Sequence, residues 1–236
     1  MSRSSPYILR DSNRVDPTKY GKHGYGGNHR TQQIEALIER AGLQVRDIPR
    51  RVETTRWERY YHGFRLWWTR SSYEMAYSHE RLPSSTGYRF LRYARAFEAH
   101  SEACFLLQEE PHFASYHAAR EAQLPVVAMP HNLETIHRGG TPDILEGADE
   151  TYSLFNEVQH LALADLTVCI SREEQWLLNN CGVTTDFLPY YPPEAKVASL
   201  EAVANRRRSE APTSHRFLIL GSVHNQPAFD GVVAQL

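Results

Sequence analysis

Apolar residues fall into two rhythms along this chain. Short continuous runs recur: Tyr7-Ile8-Leu9, then ACFLL over 103–107, PVVAM over 125–129 and LTVCI over 166–170. Between them, apolar positions lie three and four apart. Ile34, Leu37, Ile38 and Ala41 mark one helical face, and Gly42 follows as a stop. Leu154, Val158, Leu161 and Ala162 mark another within a helix expected from 148. Further helices are expected over 55–80 and 86–101, broken around Pro83-Ser84-Ser85, and over 113–122. Ser171 opens one more with an S-x-x-E capping box to Glu174, and Gly182 closes it. An alternating strand is expected at 43–48, a short one at 186–189, and loops over 11–27 and 139–147. Continuous apolar strands imply burial on both faces, as in a parallel sheet covered by helices. The alternation predicts an α/β fold: doubly wound, with a mainly parallel sheet flanked by helices.

This unit is expected to span 1–190. Prolines, a charged helix-prone segment and a polar run make 191–214 an expected interdomain linker. The stretch 215–236, with RFLILGSVHNQPAFDGVVAQL at its heart, predicts the first strand, turn and helix start of a second, truncated α/β domain.

Composition narrows the class. The chain has 236 residues, of which 41% are hydrophobic, and a net charge of −2. No apolar run approaches the roughly 18 residues of a membrane span, and the N-terminus lacks a signal-peptide core. Cys104 and Cys169 lie in apolar runs, so small buried side chains in a reducing cytosol are expected. Charge is uneven: 46–95 holds 11 arginines and five acids, 96–160 has 11 acids and two arginines. The basic stretch is aromatic as well (RWERYYHGFRLWWTR). Helical spacing explains it as an amphipathic helix with buried rings and snorkelling arginines. A basic surface for phosphate, membrane or nucleic acid is the other reading.

Ligands bind at the carboxyl ends of strands in open parallel sheets, and four polar clusters fall there. Gly26, Gly27, Asn28 and His29 lead from a glycine-bearing loop into a helix, where backbone N–H groups favour an anion. His131, Asn132 and Glu134 follow the strand PVVAM; His131 suits hydrogen bonding to a sugar hydroxyl or phosphate, and Glu134 suits orienting it. Ser171 and Glu174 are explained by capping alone. Gly221 and Ser222 end the strand of the last segment. The chain holds no HExxH, CxxC or GxSxG, so no metal site or covalent nucleophile is expected.

GYGGNHRTQQIEALIERAG, VVAMPHNLETI, ADLTVCISREEQWLLNNCG with DFLPYYPP, and FLILGSVHNQPAFDGV together resemble the amino-terminal domain and donor-domain start of GT-B glycosyltransferases. The likeness is to the retaining group that includes sucrose synthases and bacterial polysaccharide transferases. It implies a Rossmann-like half of a GT-B fold and metal-independent transfer from a nucleotide-sugar donor to a glycan or lipid-linked acceptor. It places His131 against the transferred sugar and Gly26-Gly27 near the phosphates or acceptor. Cofactors are none, the nucleotide sugar being a co-substrate. In that family most donor contacts come from the second domain, so weak or absent activity of this chain alone is expected. The alternative is a non-catalytic binding or interaction module built from half a GT-B enzyme. Nucleic acid is not an expected partner, because the acidic 96–160 segment offsets the basic one. A cytoplasmic location is expected, with peripheral contact of 46–95 with anionic membrane.

Overall fold

The computed structural model describes residues 6–11, 26–69, 83–109, 112–133, 154–191 and 194–209; for Gly26 to His29 it describes backbone alone. Glu134, Gly221 and Ser222, and with them the second-domain segment 215–236, lie outside the described residues.

The apolar runs become the inner strands of one sheet. In chain order these are β1 (Tyr7–Asp11), β2 (Gln44–Asp47), β3 (Leu106–Gln108), β4 (Val126–Ala128), β5 (Leu166–Cys169) and β6 (Thr185–Phe187). All neighbours pair parallel, in the order β2-β1-β3-β4-β5-β6. Intervening helices are α1 (Gly26–Arg40), α2 (Arg56–Thr69), α3 (Pro83–Ala99), α4 (Phe113–Glu121), α5 (Leu154–Leu161) and α6 (Arg172–Asn180), with α7 (Glu194–Ser209) after the sheet. The expected α/β parallel architecture is present.

Strand pleating sorts the core into two faces. Ile8, Leu107, Val127 and Val168 point toward Ile34 and Ile38 of α1. On the other face, Tyr7, Leu9, Leu106 and Val126 meet Leu66, Phe90, Phe97 and Phe113 of α2, α3 and α4. Ala128 and Cys169 continue that side against Val158, Leu161 and Leu178. Arg10, buried in β1, is held by Asp47 at 2.7 Å and Glu35 at 2.6 Å, which joins β1, β2 and α1. Burial alone would lower its pKa, but the hydrogen bonds to Asp47 and Glu35 outweigh that and raise it.

Helix ends follow their residues. Gly42 and Gly182 take positive φ (72° and 82°) and close α1 and α6. Leu43 N–H donates to Ile38 O at 3.1 Å and Val183 N–H to Leu178 O at 3.0 Å, the pattern of left-handed C-terminal caps. Thr55 and Glu58 form a reciprocal capping box before α2: Thr55 N–H reaches Glu58 Oε2 at 2.6 Å, and Glu58 N–H reaches Thr55 Oγ1 at 3.2 Å.

Several expectations need correction. The helix expected from 86 starts at Pro83, because proline at a first helical position gives up only an N–H that would be unpaired there. The strand expected at 103–107 runs Leu106–Gln108; Ala103 N–H turns back to His100 O at 3.0 Å, and Cys104 is exposed rather than buried. Gly26 to His29 are the first residues of α1, not part of a loop. The rings of α2 are largely exposed rather than buried. What α2 does bury is its Gly63 and Leu66 side, against α3. Gly63 lies against the backbone of Pro83, and Gly87 of α3 lies against the backbone of Arg59, so neither position has room for a methyl group.

Candidate functional site at the carboxyl edge of the sheet

The strand order reverses between β1 and β3, since β2 lies on one side of β1 and later strands extend on the other. At such a point the connections leave in opposite directions and open a crevice at the carboxyl ends.

The β1 end is closed by a carboxylate. Asp11 accepts from Arg92 Nη2 at 2.6 Å and from the Tyr93 hydroxyl, both from α3. Burial, then the charge of Asp11, pushes the Tyr93 pKa well up, so this hydroxyl stays a donor. Both oxygens of Asp11 are engaged, and the group braces α3 on the sheet.

Next along the edge, Glu109 follows β3 and is buried. Its Oε2 accepts from the Thr31 hydroxyl of α1 at 2.8 Å. His131, which follows β4, brings Nε2 to 3.6 Å from the same oxygen, longer than a hydrogen bond. The His131 side chain is 26% exposed, so it faces both Glu109 and the outside.

Arg30 precedes Thr31 in the first turns of α1 and is 2% exposed. Its Nη1 donates to Gln33 Oε1 at 3.1 Å, and Gln33 Nε2 donates in turn to Pro189 O at 2.8 Å, beyond β6. Its Nε and Nη2 find no hydrogen-bond acceptor among the described residues. Burial lowers the Arg30 pKa, while Tyr191, Glu174, Cys169 and Glu109 act the other way. A guanidinium stays charged regardless, so its free donors are poised for an anion. The N–H groups of the first helical turn, at Gly26 to His29, add to that preference.

The third element is a groove lined by Asn132, Leu133, Ser171, Arg172, Glu174 and Trp176. Ser171 Oγ accepts from Glu174 N–H at 3.1 Å, as the capping box requires. The Glu174 carboxylate does not complete that box. It accepts from Leu133 N–H at 3.2 Å, which fastens the loop after β4 to α6. Capping therefore accounts for Ser171 but not for Glu174.

Of the predicted residues, His131 and Asn132 lie at this edge, and Gly26 to His29 open the helix that supplies Arg30 and Thr31. Arg30, Thr31 and Glu109 were not predicted. An acid two positions after the apolar run ACFLL was the available signal for Glu109. Arg30 carried none, because its burial depends on residues more than a hundred positions away. Among the described residues, no group of three or more His, Cys, Asp or Glu side chains is placed to hold a metal ion.

The fold is thus Rossmann-like α/β, with polar side chains gathered at the carboxyl edge of its sheet. No protein family, curated protein or solved structure matches the chain in comparison.

Proposed function

We propose that the chain is the acceptor-side half of a nucleotide-sugar-dependent glycosyltransferase, with its ligands at the carboxyl edge around Arg30, Glu109 and His131. The observation that carries this reading is the buried Arg30 guanidinium, with two donor nitrogens lacking acceptors among the described residues, within electrostatic reach of the Glu109 that the partly exposed His131 approaches. A nucleotide sugar joins what these two groups select, a dense anion and a set of hydroxyls. The resemblance of the glycine-bearing first helix and of the His131 segment to GT-B enzymes supports the same assignment.

In the proposed reaction, the bond from the sugar's anomeric carbon to the diphosphate breaks, and a bond to an acceptor hydroxyl oxygen forms. The diphosphate leaves with the bonding pair, and the acceptor hydroxyl passes its proton to the departing diphosphate. Arg30 and the first-turn amides of α1 offset the charge that gathers on the departing diphosphate. His131 hydrogen-bonds a sugar hydroxyl, and Glu109 and Thr31 hold the ring's surroundings in place. Donor contacts that the resemblance gives to a second domain are not supplied by this edge.

One observation favours the alternative of a binding module without turnover. Three buried or half-buried carboxylates at this edge are engaged: Asp11 by Arg92 and Tyr93, Glu109 by Thr31, Glu174 by the Leu133 N–H. Incubating the purified chain with a panel of nucleotide sugars, with and without glycan acceptors, separates the two. The enzyme reading expects slow release of nucleoside diphosphate that Arg30→Gln abolishes. Binding with no release under any condition favours the module, and no binding at all removes both.

A further inference from the structure

The α2 helix carries apolar residues on the side facing away from the core. Trp57, Tyr61, Phe64 and Trp68 are spaced four, three and four apart, which puts them on one face. They are 85%, 67%, 54% and 93% exposed. Single exposed rings are ordinary, but a contiguous aromatic stripe marks a surface that meets something. The opposite face, through Gly63 and Leu66, is already taken by α3. The stripe therefore has no role in holding the sheet.

We infer that α2 is an interfacial helix that seats the protein on an anionic lipid surface. Tryptophan and tyrosine, with an apolar body and a polar tip, concentrate at the headgroup boundary. Charge complements that surface. Arg56 lines one concave surface with Trp57, Tyr61 and Phe64, Arg51 is exposed shortly before the helix, and 46–95 holds 11 arginines and five acids while 96–160 holds 11 acids and two arginines. The sequence around α2 is thus net basic, which favours an anionic surface. A 14-residue helix is too short to span a bilayer but can lie in its surface. This inference does not depend on the proposed reaction.

The test is sedimentation of the full chain with vesicles of phosphatidylcholine, alone or mixed with phosphatidylglycerol, at low and high salt. The wild type is expected to sediment with the anionic vesicles, less at high salt, and to leave neutral ones largely unbound. Trp57→Ser with Trp68→Ser is expected to weaken binding at least roughly tenfold, since two aromatic anchors are lost. Arg51→Glu with Arg56→Glu is expected to remove the preference for anionic lipid. All four positions are exposed, so circular dichroism and melting should match the wild type. No association with anionic vesicles at low salt overturns the inference, as does association unchanged by the tryptophan pair. Dimer dissociation by the tryptophan pair, without lipid binding by the wild type, assigns the stripe to a second copy instead. Retention on a glycan column without lipid binding assigns it to carbohydrate.

Discussion

His131 and Glu109, residues that follow β4 and β3, approach to 3.6 Å between Nε2 and Oε2 at the carboxyl edge of the sheet. The two side chains are unequal partners. Glu109 is buried and already accepts from Thr31 at 2.8 Å, whereas His131 is partly open. Their substitutions should therefore separate stability from binding. His131→Ala is expected to leave the melting temperature nearly unchanged and to weaken nucleotide-sugar binding by about fivefold to tenfold, the value of one hydrogen bond of about 1 kcal/mol. Glu109→Ala is expected to cost about 1–3 kcal/mol in urea unfolding, by removing the carboxylate that accepts from the buried Thr31 hydroxyl. Calorimetry and denaturation of both variants check this; equal losses of stability would contradict it.

Arg30 makes the opposite trade. A buried guanidinium lacking acceptors on two of its nitrogens among the described residues costs stability that an apolar side chain would not. Arg30→Met is expected to stabilise the ligand-free chain by about 1 kcal/mol, a rise of roughly 2–4 °C for a domain of this size. Inorganic pyrophosphate should raise the melting temperature of the wild type but not of Arg30→Met, since only a state that binds the anion is stabilised by it. Thermal shift assays with and without pyrophosphate decide it.

The crossing of α2 and α3 depends on two glycines. Gly63→Ala and Gly87→Ala each drive a methyl group into facing backbone, of Pro83 and Arg59 respectively. Backbone yields less than a side chain, so each substitution should cost about 2–3 kcal/mol or more. Gly42→Ala meets open space but keeps a positive φ, and should cost about 1 kcal/mol. Urea midpoints rank the three; Gly42→Ala proving the most damaging would contradict the packing described.

Thiol chemistry offers a check on β5. Burial, and then the charge of Glu174, pushes the Cys169 thiol from 9.0 up to about 12. Cys104 and Cys181 are exposed. An aromatic disulfide reagent at pH 8 should label two thiols quickly and the third only on unfolding. The folded pKa is raised, so the contribution of Cys169 to stability is full below pH 9 and is lost as pH climbs from about 9 toward 12. Cys169→Ala should flatten that part of the stability profile.

The sheet was legible because its inner strands are continuous apolar runs, and because Gly42, Gly182 and Ser171 punctuate helices through local backbone chemistry. The site was legible only where function sits next to a strand end in sequence, as at His131. Thr31 and Glu109 meet across 78 positions, and no periodicity reports such a contact. Glu174 has the spacing of a capping residue, and its bond to Leu133 depends on a loop that propensity does not place. In α2 the ring spacing announced a helix correctly. It could not say which face turns inward, because the small residue Gly63, not the aromatics, sets the approach of α3.

The proposed function turns on whether the carboxyl edge binds a nucleotide sugar. The direct measurement is a titration of the isotopically labelled full chain with a panel of nucleotide-diphosphate sugars, followed by amide resonances. Weak, saturable binding is expected, with the largest shifts at Arg30, Thr31, Glu109, His131 and Asn132. Submicromolar affinity would contradict the expectation that a second domain supplies most donor contacts. Shifts confined to other surfaces, or none with any nucleotide sugar, would contradict the account itself.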